Sequence, residues 1–368
     1  MRILYGVNGE GLGHATRSEV VIDMLLARGH DVRVVASGSA FRHLSERLPR
    51  VDEIFGPSLA MREGEIHRWA TLRLNVVTAQ RELSETVRHW VSVVHDWRPD
   101  VVVTDFEPLS ALYARSMLVP LVSVDNINML VRCHHDDAIV GGELADFVLA
   151  RAITRAMIPT AGDYVVTTFF RPHVLWGRTT LVPPIVRPEV VDAAPSRGEH
   201  LLVYSSGDHR LIDALRAAGV PARVYGMRGA AGSGEDGAIS YRPRSDAGFL
   251  DDLRTARAVI TGGGFSLLSE AIFLRKPVLS VPLHGQFEQL MNARYLQREG
   301  YGMCAPAAGP AELAEFLVRL PEYDEALAGY RQAGNHVALE TIEARVTQAA
   351  ADSRRTRRQA RRTARRAA

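Results

Sequence analysis

The chain is almost without lysine: of its 44 basic residues only Lys276 is not an arginine. A P-loop requires a lysine directly after a glycine-rich turn. Lys276 stands in LRKPV instead, so that class of nucleotide site is excluded. Cysteine is nearly as rare. Cys133 and Cys304 lie far apart and without ligand spacing, which excludes a disulfide framework and a cysteine-based zinc site. No run of about 18 apolar residues is present to span a bilayer, and no basic, apolar and cleavage-site succession precedes the first strand-like run. Cytoplasmic residence is the expectation.

What is present is a chain of 368 residues, 46% of them hydrophobic, long enough for two domains that each bury a core. The formal charge of +2 conceals an asymmetry. Residues 351–368, ADSRRTRRQARRTARRAA, hold eight arginines and one aspartate, a local +7 that leaves the body at about −5. A frayed, solvated terminus is the plainer reading, because arginine is favoured throughout this chain. The alternative is a docking arm for anionic lipid, where each basic residue adds about 1 kcal/mol, with nucleic acid less favoured.

Along the chain, short apolar runs alternate with helical patterns. RILYGV (2–7), DVRVVA (31–36), DVVVTD (100–105), PLVSVD (120–125) and DYVVTT (163–168) read as buried parallel strands. A long helix is expected between the second and third, with Val76, Val77, Leu83, Val87, Trp90, Val91 and Val94 on its apolar face. The proline-rich stretch 181–200 then interrupts the rhythm. It resumes with strands at 200–206, 221–227, 257–263 and 276–282 and helices at 208–218, 246–256 and 265–275. The expected fold is α/β, with two Rossmann-like doubly wound domains facing each other across a cleft. The expected division is a first domain over 1–183, a linker over 184–199, a second domain over 200–350 whose last helix returns to the first, and a disordered tail over 351–368.

The loop GEGLGH (9–14) follows the first strand and opens a helix. That is the context of a dinucleotide fingerprint, but His14 stands where the third glycine belongs, and strand two ends Val35-Ala36-Ser37 without a carboxylate for a ribose. Two readings of His14 remain, a helix cap or a catalytic group in the cleft with glycines that leave room for substrate. A second loop, TGGGFS (261–266), also runs from strand into helix. Backbone N–H groups at such a start form an anion site, which suits Gly262, Gly263, Gly264 and Ser266 to a diphosphate. Glu270, one turn on, would accept two vicinal ribose hydroxyls. Glu288 and Gln289 open a further helix whose polar groups would read sugar hydroxyls, with Asn292 a turn along.

In order and spacing, Gly-Gly-Gly-Phe-Ser, Glu270, the Lys-Pro-Val strand, Pro282 and Glu288-Gln289-x-x-Asn292-Ala293 resemble the nucleotide-sugar signature of GT-B glycosyltransferases. The similarity is greatest to families 1 and 28, which include the peptidoglycan N-acetylglucosaminyltransferase and the plant and antibiotic enzymes, and it covers about residues 1–345. The resemblance implies a nucleotide-diphosphate-sugar donor held by Gly262, Gly263, Gly264, Phe265, Ser266, Glu270, Glu288 and Gln289, with Gly11 and Gly13 approaching from the first domain. It implies an inverting transfer in which His14 deprotonates the acceptor hydroxyl and Asp105 orients His14. Imidazole, with an ordinary pKa near 6.5, suits that task at neutral pH. Glu288-Gln289 departs from the two glutamines of the peptidoglycan enzyme. No aromatic clearly stacks on the donor base, Phe249 and Tyr241 being upstream candidates, so uridine is the default and thymidine the rival.

No cofactor or metal is expected, since helix dipoles and backbone amides commonly neutralise the leaving diphosphate in this fold. RCHHDDA (132–138) is read as a polar acceptor-side loop, because its consecutive ligand-type residues lack the spacing of a helical metal site. The acceptor is a small molecule or a lipid-linked one. Two rival readings are a non-hydrolysing nucleotide-sugar 2-epimerase, which shares the architecture, and a non-catalytic nucleotide-sugar or nucleic-acid binder.

Overall fold

A computed structural model describes residues 1–56, 61–62, 65–66, 94, 96–158, 160–205, 209–226, 234–243 and 246–367. The first sheet starts at its centre. β1 (Arg2–Val7), β2 (Asp31–Ala36) and β3 (Val51–Glu53) step toward one edge, and a separate antiparallel ribbon, β4 (Met61–Arg62) with β5 (Glu65–Ile66), follows. β6 (Val101–Asp105) then returns to the far side of β1, and β7 (Leu121–Asp125), β8 (Asp163–Thr167) and β9 (Thr179–Val182) step toward the other edge. The order is β3-β2-β1-β6-β7-β8-β9 with every pairing parallel. All five residues of β6 and of β7 are buried, as helix-covered parallel strands require.

The second sheet repeats the plan. It contains β10 (Leu201–Tyr204), β11 (Ala222–Tyr225), β12 (Gly234–Asp236), β13 (Ile239–Tyr241), β14 (Ala258–Thr261), β15 (Val278–Ser280) and β16 (Gly302–Cys304). Their order is β12-β13-β11-β10-β14-β15-β16, with β12 alone antiparallel. In such sheets a crevice opens where the strand order reverses, outside the carboxyl ends of the two central strands. The reversal falls between β1 and β6 in one sheet and between β10 and β14 in the other. GEGLGH follows β1, Asp105 ends β6 and the triple glycine follows β14, so both glycine loops and the aspartate stand at switch points.

The α/β expectation holds, and helices His209–Ala218, Asp246–Thr255 and Phe265–Phe273 stand where periodicity placed them. The long helix expected around Val76–Val91 lies outside the described residues; Val94 is buried in the core. Two other stretches differ from expectation. The supposed linker contains the helix Pro188–Val191 and follows directly on β9. Residues 351–367, expected to be disordered, continue the helix His336–Ala367, because an alanine- and arginine-rich sequence has high helix propensity and holds no glycine or proline to end it. The first half of that helix buries Ala338, Ile342, Val346 and Ala350 in one cluster with β1, β6, β7 and β8. Those residues recur at steps of four, the stripe a helix needs to lie on a sheet.

Candidate active site

Asp105 is fully buried at the end of β6, opposite Val7 of β1. His14, Arg17 and Ser18 share one face of the helix Gly13–Ala27, three and four residues apart, and all three turn toward it. His14 Nδ1 lies 2.8 Å from Asp105 Oδ1. Arg17 donates from Nη2 to Oδ1 at 2.6 Å and from Nε to Oδ2 at 3.0 Å, and the Ser18 hydroxyl donates to Oδ2 at 3.0 Å. Burial by itself would raise the Asp105 pKa, but the Arg17 and His14 charges and hydrogen bonds outweigh it and hold the carboxyl at about 2. Arg17 Nη2 also stands 3.1 Å from His14 Nδ1. The ionised Asp105 carboxylate can only accept, so at 2.8 Å it is Nδ1–H that donates to it, and this tautomer leaves Nε2 as the ring's acceptor.

The glycines of the first loop serve two purposes. Gly11 has φ 73°, a left-handed backbone that glycine adopts without steric cost. A Cβ on Gly13 would lie 2.7 Å from Ser266 Oγ, and that hydroxyl donates to the Gly13 carbonyl at 3.1 Å. The room expected there for substrate is therefore taken by the second domain's loop. Two helix starts, Gly13 and Phe265, meet across the cleft. Neither has a side-chain cap or an acidic residue in its first turn, and the first N–H groups of a helix have no intrahelical acceptor.

On the second domain, a Cβ at Gly264 would meet no atom within 4 Å, whereas Gly263, at φ 96°, packs against the Gln289 backbone. Asn292 steadies the loop by donating to the Gly263 carbonyl at 3.4 Å. Gln289 Oε1 accepts from the Leu283 backbone at 3.2 Å. Glu270 is buried, and both its oxygens accept from Arg187 of the inter-domain segment, Nε to Oε1 at 2.7 Å and Nη2 to Oε2 at 2.8 Å. Glu288, half-buried in the first turn of helix Phe287–Arg298, has its carboxyl pushed up by desolvation, against the opposing pull of the nearby His14 and Arg17 charges. His14, Asp105, Gly13, Ser266 and Glu288 thus converge at one place, with Gly262, Gly264 and Phe265 beside them.

Sequence reasoning missed Arg17, Ser18 and Arg187. Only the i, i+3, i+4 spacing from His14 signalled the first two. It also missed Tyr204, half-exposed at the carboxyl end of β10, in register with Thr261 and edge-on to Phe249 at 5.9 Å. Tyr241, the other aromatic considered for the base, packs partly buried against the second domain's core.

RCHHDDA, expected as a polar acceptor-side loop, clasps the two domains together. His135 Nε2 donates to the Met129 carbonyl, and Nδ1 accepts from the Tyr295 hydroxyl, both at 2.9 Å. Asp136 caps the helix Asp137–Val140 and accepts from Arg298 at 2.6 Å. Beside it Phe170 stacks on Tyr295 at 3.7 Å and Phe169 on Phe265 at 5.9 Å, so aromatic faces from both domains close the floor of the cleft.

The sequence pattern of the family described as "Glycosyl transferase family 1" matches residues 1–321. An uncharacterized glycosyltransferase of Methanosarcina mazei is 25% identical over 346 residues, which cover 87% of this chain and 89% of that protein. Among solved structures, the glycotransferase of kitacinnamycin superposes with a TM-score of 0.66 at 18% identity, covering 94% of this chain and 99% of that one. The glycosyltransferase VinC, solved in complex with dTDP, superposes with a TM-score of 0.63 at 16% identity, covering 96% and 100% of the two chains. These likenesses show the two-domain GT-B fold.

Proposed function

The chain belongs to glycosyl transferase family 1, and on that premise we propose that it moves a sugar from a nucleoside diphosphate to an acceptor hydroxyl with inversion, using His14 as general base. The observation that carries this reading is the His14–Asp105 pair at 2.8 Å, at the switch point of one sheet and facing the phosphate-type loop of the other. A carboxylate behind Nδ1 fixes the tautomer and stabilises the imidazolium that forms. Nε2 then takes the acceptor proton while the hydroxyl oxygen attacks the anomeric carbon from the side opposite the diphosphate. One displacement of this kind needs no covalent intermediate.

The donor is assigned to the second domain. Gly262, Gly263, Gly264, Phe265 and Ser266 would receive the diphosphate at a helix start, where backbone dipoles favour negative charge. Gly11 and Gly13 bring a second helix start to the same place. Glu270 would take the ribose, Glu288 and the amide nitrogen of Gln289 the transferred sugar, and Tyr204 the base. UDP-sugars come first and dTDP-sugars second, the latter supported by the nucleotide bound to VinC. Charge on the departing diphosphate is given to the helix starts and not to a metal, so turnover should be unchanged by EDTA.

Among the described residues no helix is long and apolar enough to cross a membrane. We place the enzyme in the cytoplasm and assign any contact with anionic membrane to the arginine-rich end of the helix His336–Ala367. Incubation with labelled UDP- and dTDP-sugars and a panel of lipid-linked and soluble acceptors tests the function, with the product anomer read by NMR. Transfer with retained configuration would overturn inversion, and epimerised donor without transfer would overturn the reading itself.

A further inference from the structure

Glu270 meets its donor already paired, and that bears on which nucleotides the site accepts. An ionised carboxylate has about four lone-pair positions. If a buried carboxylate depends on both hydroxyls of a ribose to satisfy its two oxygens, a 2′-deoxyribose leaves one oxygen bare, and sites that lose a buried partner discriminate strongly. Here each oxygen already accepts a charged N–H from the Arg187 fork, at 2.7 and 2.8 Å. The Arg187 side chain is 19% exposed and that of Glu270 8%. What remains on each oxygen faces away from the fork.

The fork is held in place. Asn335 clamps both backbone groups of Val186, accepting from its N–H at 3.0 Å and donating to its carbonyl at 2.7 Å, and Gln332 donates to the Pro184 carbonyl at 2.7 Å. Pro188 follows directly and fixes the backbone after Arg187. The guanidinium therefore reaches Glu270 from a braced segment.

Resting on the donor site proposed above, we propose that Arg187 sets the nucleotide tolerance of this enzyme, by satisfying both Glu270 oxygens so that the site binds ribo- and 2′-deoxyribonucleoside diphosphates with similar affinity. Arg187 acts through Glu270 and is a positioning residue.

UDP and dUDP differ only at the 2′ position, so calorimetry with this pair on the full chain isolates the effect. The wild type should bind both within about tenfold. In Arg187→Leu the dUDP/UDP ratio of dissociation constants should widen by a further tenfold or more, and Arg187→Lys, which keeps the charge but loses the fork, should fall between. Melting curves check that each variant is folded, and Arg187→Lys carries the test if Arg187→Leu is not. A wild type that prefers UDP by more than about a hundredfold, or variants that weaken both nucleotides equally, would overturn the inference and leave the donor site standing. Absence of binding for both nucleotides by the wild type would overturn the donor site and the inference together.

Discussion

The two glycine-rich loops that meet across the cleft share a plan and differ in how they are completed. Both leave a central strand at a switch point and both open a helix without a side-chain cap. On the first domain, the side chains beyond the loop turn inward onto one buried carboxylate, so His14 is oriented by Asp105 before any substrate arrives. On the second, the polar groups assigned to the donor are engaged by other parts of the chain: Glu270 by Arg187 and the Gln289 carbonyl oxygen by Leu283. A base must be fixed in tautomer and direction, whereas a binding group has only to keep its charge and some open lone pairs.

The largest effect that sharpens this contrast is on chemistry. In His14→Ala, turnover should fall by about 10²–10⁴-fold, while donor affinity, assigned in the proposed function mainly to the other domain, stays within a factor of about two. Turnover near wild type, with only about 1 kcal/mol of stability lost, would reduce His14 to a structural hydrogen-bond partner of Asp105. In the opposite direction, Glu270→Ala should weaken UDP binding by roughly ten- to a hundredfold, as expected for a lost charge-assisted hydrogen bond. Measured at saturating donor, its turnover should change much less. Unchanged UDP affinity in the folded variant would end the ribose assignment.

Acid should separate the two loops as well. The Asp105 pKa is depressed to about 2 in the folded protein, against an ordinary unfolded value near 3.9. Its contribution, about 2–3 kcal/mol by linkage, is therefore present above pH 4 and lost as pH falls through 4 toward 2. Denaturant titrations at pH 7, 4 and 2.5 on wild type and Asp105→Asn should show the slope in the wild type and a shallower one in the variant. Parallel curves would mean that the carboxylate's partners contribute nothing net. The smallest effect is expected from the tail: a chain ending at Ala351 should keep its turnover on soluble acceptors and lose its binding to phosphatidylserine vesicles. Equal vesicle binding by both forms would assign membrane contact elsewhere.

The central strands were legible because each carries at least three apolar residues that are buried under helices on both sides. The edge strands β3, β12 and β16, and β13 beside β12, were not, having three residues each, too few for a period to register. β9, four residues followed by two prolines, was not read as a strand. The pairing of His14 with Asp105 was anticipated from family resemblance. Arg17 and Ser18 acquire meaning only once Asp105, more than 80 residues away, is known to face their helix.

By itself the sequence determined the alternation of strands and helices, the two places where glycines open a helix start, and the identity of the titratable groups beside them. Those features are local: side-chain volume, periodicity and backbone freedom decide them over a few residues. Tertiary structure alone decided the partners. It brought Arg187 to Glu270 across 83 residues, gave the space beside Gly13 to Ser266 of the other domain, and made the polar loop RCHHDDA a clasp between the domains. Each is a choice among many polar groups of similar chemistry, and distance and burial, which no local pattern encodes, make that choice.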